Sequence, residues 1–226
     1  MKSHCEKSSR AGERSTDGFT LVELLVATAL MLMVLGAVYT LYRVQTHSTK
    51  VEASRLEAQE YANAALDLMV REIRNAGACS GGIISAAKQN LRIAYDANGD
   101  SDCGDSNEDI TFAFDATGCA SGYGNITRTT LVPSQSQPLT DCNVPTGAGN
   151  FSFTYYPQQT SSSAPAPLCL STGDPSGCSG TLNPNTVQRI TISVIVHAKN
   201  PDAQFGGQLS ATMTSNVDLR NRGSSS

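Results

Sequence analysis

The stretch Gly18-Phe19-Thr20-Leu21-Val22-Glu23 opens the longest apolar run of the chain. In the 24 residues from Phe19 to Tyr42, Glu23 is the only charged side chain. A helix of this length measures roughly 36 Å, and the hydrocarbon core of a bilayer is about 30 Å thick. A carboxylate inside a membrane is costly and marks a functional position. The stretch therefore predicts a membrane-spanning helix that carries one functional acid near its start.

Two simpler interpretations of this run fit less well. An ordinary secretory signal has an apolar core of about 7–15 residues and ends at a small-residue cleavage site. This run is longer, and it continues into Tyr42-Arg43-Val44-Gln45 without such a site. A plain membrane anchor fits the length but has no need of Glu23, since an intramembrane acid requires a partner.

The composition describes an acidic chain with cysteines placed for an oxidising compartment. The net charge of -4 argues against nucleic-acid binding, which usually needs a basic patch. Six of the seven cysteines lie beyond the apolar run, and an even number in such a domain predicts disulfide bonds. Sequence leaves their pairing open, although Cys169–Cys178 is the most economical local pair. The six are Cys79, Cys103, Cys119, Cys142, Cys169 and Cys178.

The pattern after residue 42 predicts an α+β fold. No proline or glycine occurs from Arg43 to Ala76, so one helix is expected from Phe19 to Ala76, with Gly77 as its C-cap. Its second half has one apolar face that can pack on a head domain. Alternating or β-rich segments then predict antiparallel strands, the last two as a hairpin. The predicted strands are 91–95, 110–114, 151–155, 187–198 and 209–219.

The opening stretch resembles the class III signal of type IV prepilins and of type II secretion pseudopilins. It has a short polar leader, a glycine, a phenylalanine, a glutamate and an uninterrupted apolar helix. The resemblance implies a pilin-like fold, in which a long helix packs on an antiparallel sheet. The expected segments are a leader (1–18), a transmembrane or fibre-core helix (19–42), the amphipathic half of the same helix (43–77) and a disulfide-containing head (78–226).

The resemblance also implies roles for three residues. A prepilin peptidase would cut between Gly18 and Phe19, and the new amino group of Phe19 would be N-methylated. Glu23 would neutralise the terminal amine of a neighbouring subunit during assembly. Buried together, a carboxylate and an ammonium remove each other's desolvation penalty, and losing one leaves the other uncompensated. Major and minor pilins would pack against residues 19–42.

Two further segments are similar to minor subunits of this superfamily. Residues 64–77 look like the helix end of PilW-type minor pilins and of J-type minor pseudopilins, and residues 217–222 look like their C-terminal ends. The favoured hypothesis is a PilW-type minor pilin that helps initiate or cap a type IV pilus. A J-type pseudopilin of a type II secretion system is the alternative. The leader is expected in the cytoplasm, the helix in the inner membrane and the head in the periplasm, later near a fibre tip.

An acidic loop predicts a calcium site. Residues 96–109 contain six acids and no base, and alternate oxygen side chains match part of an EF-hand loop. In an EF-hand loop a glycine usually follows the third ligand, but here Ser101 occupies that position. The closing acid, Glu108, comes one residue late. A solvated Asp/Asn/Gly turn is the simpler alternative. The candidate ligands are Asp96, Asn98, Asp100, Asp102 and Glu108.

The sequence contains no recognisable catalytic motif. It lacks G-x-S-x-G and H-E-x-x-H, and no serine or cysteine is paired with an obvious histidine base. His197 is expected to be a surface or packed strand residue. A non-enzymatic fibre subunit is therefore expected, with a membrane-anchored periplasmic enzyme or binding module as the contrasting hypothesis. An adhesin-like tip with contacts from Ser/Pro/Gly-rich loops is compatible with the fibre subunit.

Overall fold

The computed structural model describes most of the chain after the leader. The described residues are 18–77, 82–159, 164–170, 175, 177–198 and 209–219. The chain divides into two compact units, Met1–Ser48 and Thr49–Ser226. The predicted leader lies outside the described residues except for Gly18.

The predicted helix is present as α1, Leu21–Asn75. It begins two residues later and ends one residue earlier than the sequence predicts. At its C-terminal end the Ala76 amide donates to the Ile73 carbonyl over 3.1 Å, and Gly77 follows with φ +133°. A side chain is strained at that angle, so glycine suits the position, in agreement with its predicted role as a helix terminator.

A six-stranded antiparallel sheet follows the helix. Its strand order is β1-β2-β3-β4-β5, and β6 also pairs with β4. Strands β2 and β3 match the predicted strands 91–95 and 110–114, whereas β1, β4, β5 and β6 were not predicted. Strand β4 is rich in threonine and lacks a clear apolar alternation, and β5 is fully exposed. The bounds are β1 Ile83–Ala86, β2 Asn90–Ala94, β3 Asp109–Asp115, β4 Tyr123–Thr130, β5 Gln135–Pro138 and β6 Val144–Pro145.

A second, three-stranded antiparallel sheet is ordered β7-β8-β9. Its strands are Phe151–Pro157, Val187–Ala198 and Leu209–Asp218, so all three segments predicted from sequence are strands. Strands β8 and β9 pair antiparallel from Arg189 opposite Asp218 to Ala198 opposite Leu209, which is the predicted pairing. Alternate residues of β8 are buried, as its period-two pattern requires.

The two sheets and the second half of α1 enclose one apolar core. The face of α1 that packs in this core is the apolar face predicted from the spacing of small and apolar residues. Val51, which also belongs to the predicted face, is only half-buried. Met69 and Ile73 are completely buried and belong to the same apolar cluster as Phe112 of β3 and Phe151 of β7. Backbone hydrogen bonds also join the sheets: the Phe153 amide donates to the Lys88 carbonyl over 2.7 Å. The fold is therefore α+β and pilin-like, as predicted.

Two disulfides connect described residues of the head. Cys169–Cys178 is the local pair named from the sequence, and it closes the loop between β7 and β8. Cys119–Cys142 joins the turn after β3 to the segment before β6. Cys103 is also disulfide-bonded, and Cys79 lies outside the described residues. Covalent links of this kind restrict the unfolded chain, which is useful in a head with long loops.

Candidate functional site

The start of α1 places a helix cap immediately after Phe19. The Thr20 hydroxyl accepts a hydrogen bond from the Glu23 amide at 3.3 Å, and the Leu24 amide donates to the Thr20 carbonyl at 3.2 Å. Thr20 is therefore the N-cap, and Glu23 is the third helical residue. Thr-x-x-Glu is the sequence signature of a capping box, a signal that sequence reasoning overlooked. Because Gly18 and Phe19 precede the cap, the predicted cleavage bond lies outside the helix.

The apolar half of α1 presents its side chains outward. Leu24, Leu35 and Leu41 are more than half exposed, and every residue from Gly18 to Gln45 is classed as exposed. Its threonine hydroxyls bond to the helix itself: Thr28 donates to the Leu25 carbonyl and Thr40 to the Ala37 carbonyl. Such back-bonding satisfies hydroxyls in surroundings without water. The segment is therefore suited to lipid or to other apolar helices.

Glu23 is the exception to that uniform surface. Within the described part of the chain its carboxylate forms no ion pair, and no basic residue lies between it and Arg43. One helix among the described residues, α1, is long and apolar enough to cross a membrane. A bare acid in such a segment needs a positive partner from outside it.

A buried ion pair connects the second half of α1 to the six-stranded sheet. Arg128 lies on β4, and its Nε atom donates to both carboxylate oxygens of Glu72 at 3.0 Å. The Nη2 atom of Arg128 lies 2.9 Å from Glu72 Oε1. The Arg128 and Glu72 side chains are only 14% and 11% exposed. Burial, followed by the charge of Glu72, raises the pKa of nearby Tyr95. The two partners are 56 residues apart, so no local pattern indicates this contact.

The acidic loop lies between β2 and β3 and is organised by its own hydrogen bonds. The Asp96 carboxylate accepts from the Gly99 and Ser101 amides, which lowers its pKa. Glu108 is almost fully buried and accepts from the Ala97 amide at 3.0 Å and the Asp105 amide at 3.2 Å. These oxygens serve as caps for loop amides. No group of three or more acidic, histidine or cysteine side chains in the described residues is arranged to hold a metal ion.

Asp105 is an acid of the loop that the predicted ligand set omitted. Its carboxylate accepts a hydrogen bond from the side-chain nitrogen Nδ2 of Asn98 at 3.1 Å. The same Nδ2 atom donates to the Asp100 carboxylate at 2.9 Å. The charge of Asp100, together with desolvation and Glu108, raises the pKa of Asp105. Repulsion between carboxylates therefore persists in the loop, which is the physical ground for a cation. Calcium binding by Asp96, Asn98, Asp100, Asp102 and Glu108 stays a prediction.

Thermal unfolding of the full chain in detergent tests the calcium prediction. Extracytoplasmic calcium sites have dissociation constants of about 10⁻⁴–10⁻³ M, so the melts require millimolar calcium. Calcium should raise the melting temperature because it binds the folded loop, whereas magnesium should not. Asp100→Ala should remove the calcium-dependent shift, and Asp218→Ala, outside the loop, should retain it. Comparing each variant with and without calcium cancels any change in its basal stability. A wild-type melt that ignores calcium would leave the loop as a solvated turn.

A family model for the prokaryotic N-terminal methylation motif matches residues 14–39. The match includes Gly18, Phe19 and Glu23 together with most of the apolar segment. It supports assignment to the type IV prepilin and pseudopilin superfamily, and it implies processing by a prepilin peptidase and association with pilin-type partners. It is also consistent with membrane anchoring. No curated protein and no solved structure matches this chain with significant similarity.

Proposed function

We propose that this protein is a minor pilin-like subunit of a type IV pilus, a structural component and not an enzyme. The observation that carries the proposal is the Gly18–Glu23 segment. This segment, which lies within the matched methylation motif, contains the glycine of the predicted cleavage site, the capped start of an exposed apolar helix and the lone carboxylate of that helix's apolar part. Such a helix is suited first to a membrane and later to the core of a fibre. The large, disulfide-linked head favours a subunit that initiates or caps assembly.

The proposed topology follows from the distribution of the cysteines. The head contains two described disulfides, which form and persist in oxidising compartments such as the periplasm. The leader would stay in the cytoplasm, and residues 19–42 would cross the inner membrane once. After cleavage the helix would leave the bilayer and pack against other pilins, while the head would lie near the fibre tip.

Processing is the first test of this proposal. When the full chain is expressed with a prepilin peptidase, intact-mass analysis should find a mature protein that begins at Phe19 with a methylated amine. Gly18→Leu should block cleavage because the bulky side chain would stand at the scissile bond. Gly12→Leu is a matched control in the same leader and should be cut normally. A mature chain that starts elsewhere, or a wild-type leader left intact beside an active peptidase, would contradict the proposal.

The alternative is a J-type minor pseudopilin of a type II secretion system, which shares the resemblance of residues 64–77. Deletion of the gene separates the two functions. Loss of surface fibres with normal protein secretion supports the pilus subunit, and loss of secretion with normal fibres supports the pseudopilin. Normal fibres and normal secretion together would favour the membrane-anchored binding module or enzyme.

A further inference from the structure

A cavity of about 550 Å³ lies between the second half of α1 and the ends of β4 and β8. This volume falls within the usual range for small-ligand sites. Tyr61 of the helix and Tyr123 and His197 of the sheets supply aromatic rings to its wall. Two acids, Glu57 and Asp141, also line it, whereas no lysine or arginine does. In the described part of the chain neither carboxylate forms an ion pair.

The wall of this cavity is held in place by specific contacts. The Tyr123 hydroxyl and His197 Nδ1 are 3.3 Å apart, and the two rings meet edge to face with centroids 5.8 Å apart. The His197 amide donates to the Asn143 carbonyl at 2.7 Å, which joins β8 to the segment before β6. The Cys119–Cys142 disulfide fixes that segment from the other side. The Tyr123 and His197 rings are therefore positioned by the fold before any ligand arrives.

One polar atom in the cavity lining has no hydrogen-bond partner among the described residues. The side-chain oxygen Oδ1 of Asn143 is buried and accepts no hydrogen bond from the described residues. A buried acceptor without a donor is costly, so a ligand that supplies an N–H group would stabilise it. Burial lowers the pKa of His197 and so favours its neutral imidazole. The cavity thus combines negative charge, aromatic faces and an unsatisfied acceptor.

We propose that this cavity binds a guanidinium cation of about the size of an arginine side chain. A guanidinium is planar, carries five N–H donors and stacks on aromatic rings. It can approach the Glu57 and Asp141 carboxylates, donate to Asn143 Oδ1 and lie against Tyr61 or Tyr123. Glu57 and Asp141 are exposed, so their carboxylates attract a cation at the mouth of the cavity, whereas a neutral ligand gains no such attraction and an anion is repelled. The cation could be a free small molecule or an arginine of a neighbouring subunit.

The probe is N-acetyl-arginine amide, and its control is N-acetyl-citrulline amide, which has a similar shape without the charge. The full chain in detergent is labelled at its three histidines, His4, His47 and His197, whose ring signals are followed by NMR. The arginine probe should shift the His197 signal with a dissociation constant on the order of 1 mM, while His4 and His47 report non-specific effects. The citrulline probe should cause no shift at the same concentration.

Variants of the lining residues test whether the arginine probe binds in the cavity. The double substitution Glu57→Gln/Asp141→Asn should weaken binding by about tenfold or more, because it removes both charges. Glu60→Gln is a matched control on the same helix, outside the cavity, and should bind normally. An unchanged His197 signal in wild type, or a shift that survives in the double variant, would overturn the proposal.

A cross-link identifies the source of the cation. A photoreactive residue in place of Ser54, at the edge of the cavity, is activated in assembled fibres. Adducts with another subunit next to an arginine would identify that side chain as the ligand. Probe binding without such adducts would identify a free guanidinium compound. The probe experiment does not depend on fibre assembly, so its failure is distinguishable from a failure of the proposed function.

Discussion

Glu72→Ala should destabilise the head by about 3–5 kcal/mol, the usual cost of removing one partner from a buried ion pair. Arg128 would keep its charge in a site where its side chain is only 14% exposed, and its Nε atom would lose both carboxylate acceptors. The contact also joins α1 to β4, so its loss should loosen the helix from the sheet. Chemical denaturation of the full chain in detergent, followed by near-ultraviolet circular dichroism of the tyrosines, measures the change.

The double substitution Glu72→Leu/Arg128→Met separates charge from packing. Replacing both partners by apolar side chains of similar size leaves no buried charge, so its cost should be smaller than that of either single substitution to alanine. Glu60→Ala, at an exposed position on the same helix, should change stability by less than about 0.5 kcal/mol. If Glu72→Ala were as mild as this control, the pair would be screened by solvent and would not hold the helix to the sheet.

Glu23→Ala should reduce incorporation into fibres by roughly 100-fold or more while leaving membrane insertion and leader cleavage unchanged. The proposed partner of this carboxylate is the terminal amine of a neighbouring subunit. An ammonium stranded in apolar surroundings costs several kcal/mol, and each 1.4 kcal/mol is about a tenfold change in an equilibrium constant. Immunoblots of sheared fibres and of membranes give the incorporated and the inserted fractions.

Two variants sharpen the test of Glu23. Glu23→Gln retains the shape and can still donate or accept hydrogen bonds, so similar defects in both variants would assign the effect to charge. Glu52→Ala removes a carboxylate from the same helix beyond the apolar segment, and it should assemble normally. Normal incorporation of Glu23→Ala would reduce Glu23 to an incidental charge and would remove the proposed assembly contact.

Much of the fold was predictable because its main elements have regular sequence periods. The long helix lacks proline, and Gly36 is the only glycine in its interior. Because so few helix-breaking residues occur in this segment, the extent of the helix was predicted within two residues at each end. Strand β8 alternates so regularly that its predicted and observed bounds coincide. Strands β4 and β5 were missed because threonine, serine and glutamine carry no clear alternation. Those strands form because neighbouring strands satisfy their backbone groups.

In the acidic loop, too, one part was predictable from the sequence and another part depends on the tertiary structure. Its composition identified the segment and the candidate oxygen atoms. The structure shows that the Glu108 carboxylate is buried and accepts hydrogen bonds from two backbone amides. It also shows that the side-chain Nδ2 of Asn98 donates to both Asp100 and Asp105. The direction of each side chain depends on where β2 and β3 hold the two ends of the loop, which spacing along the chain does not specify.

The sequence by itself determined the segment from Gly18 to Glu23, the long helix, the β8–β9 hairpin and the local Cys169–Cys178 pair. Each depends on residues close together in the chain, where helical or strand periodicity and loop closure limit the outcomes. Only the tertiary structure decided the Glu72–Arg128 ion pair and the cavity between Glu57, Asp141 and His197. Those residues lie tens of positions apart and meet because α1 packs on two sheets, and their positions depend on the packing of the whole core.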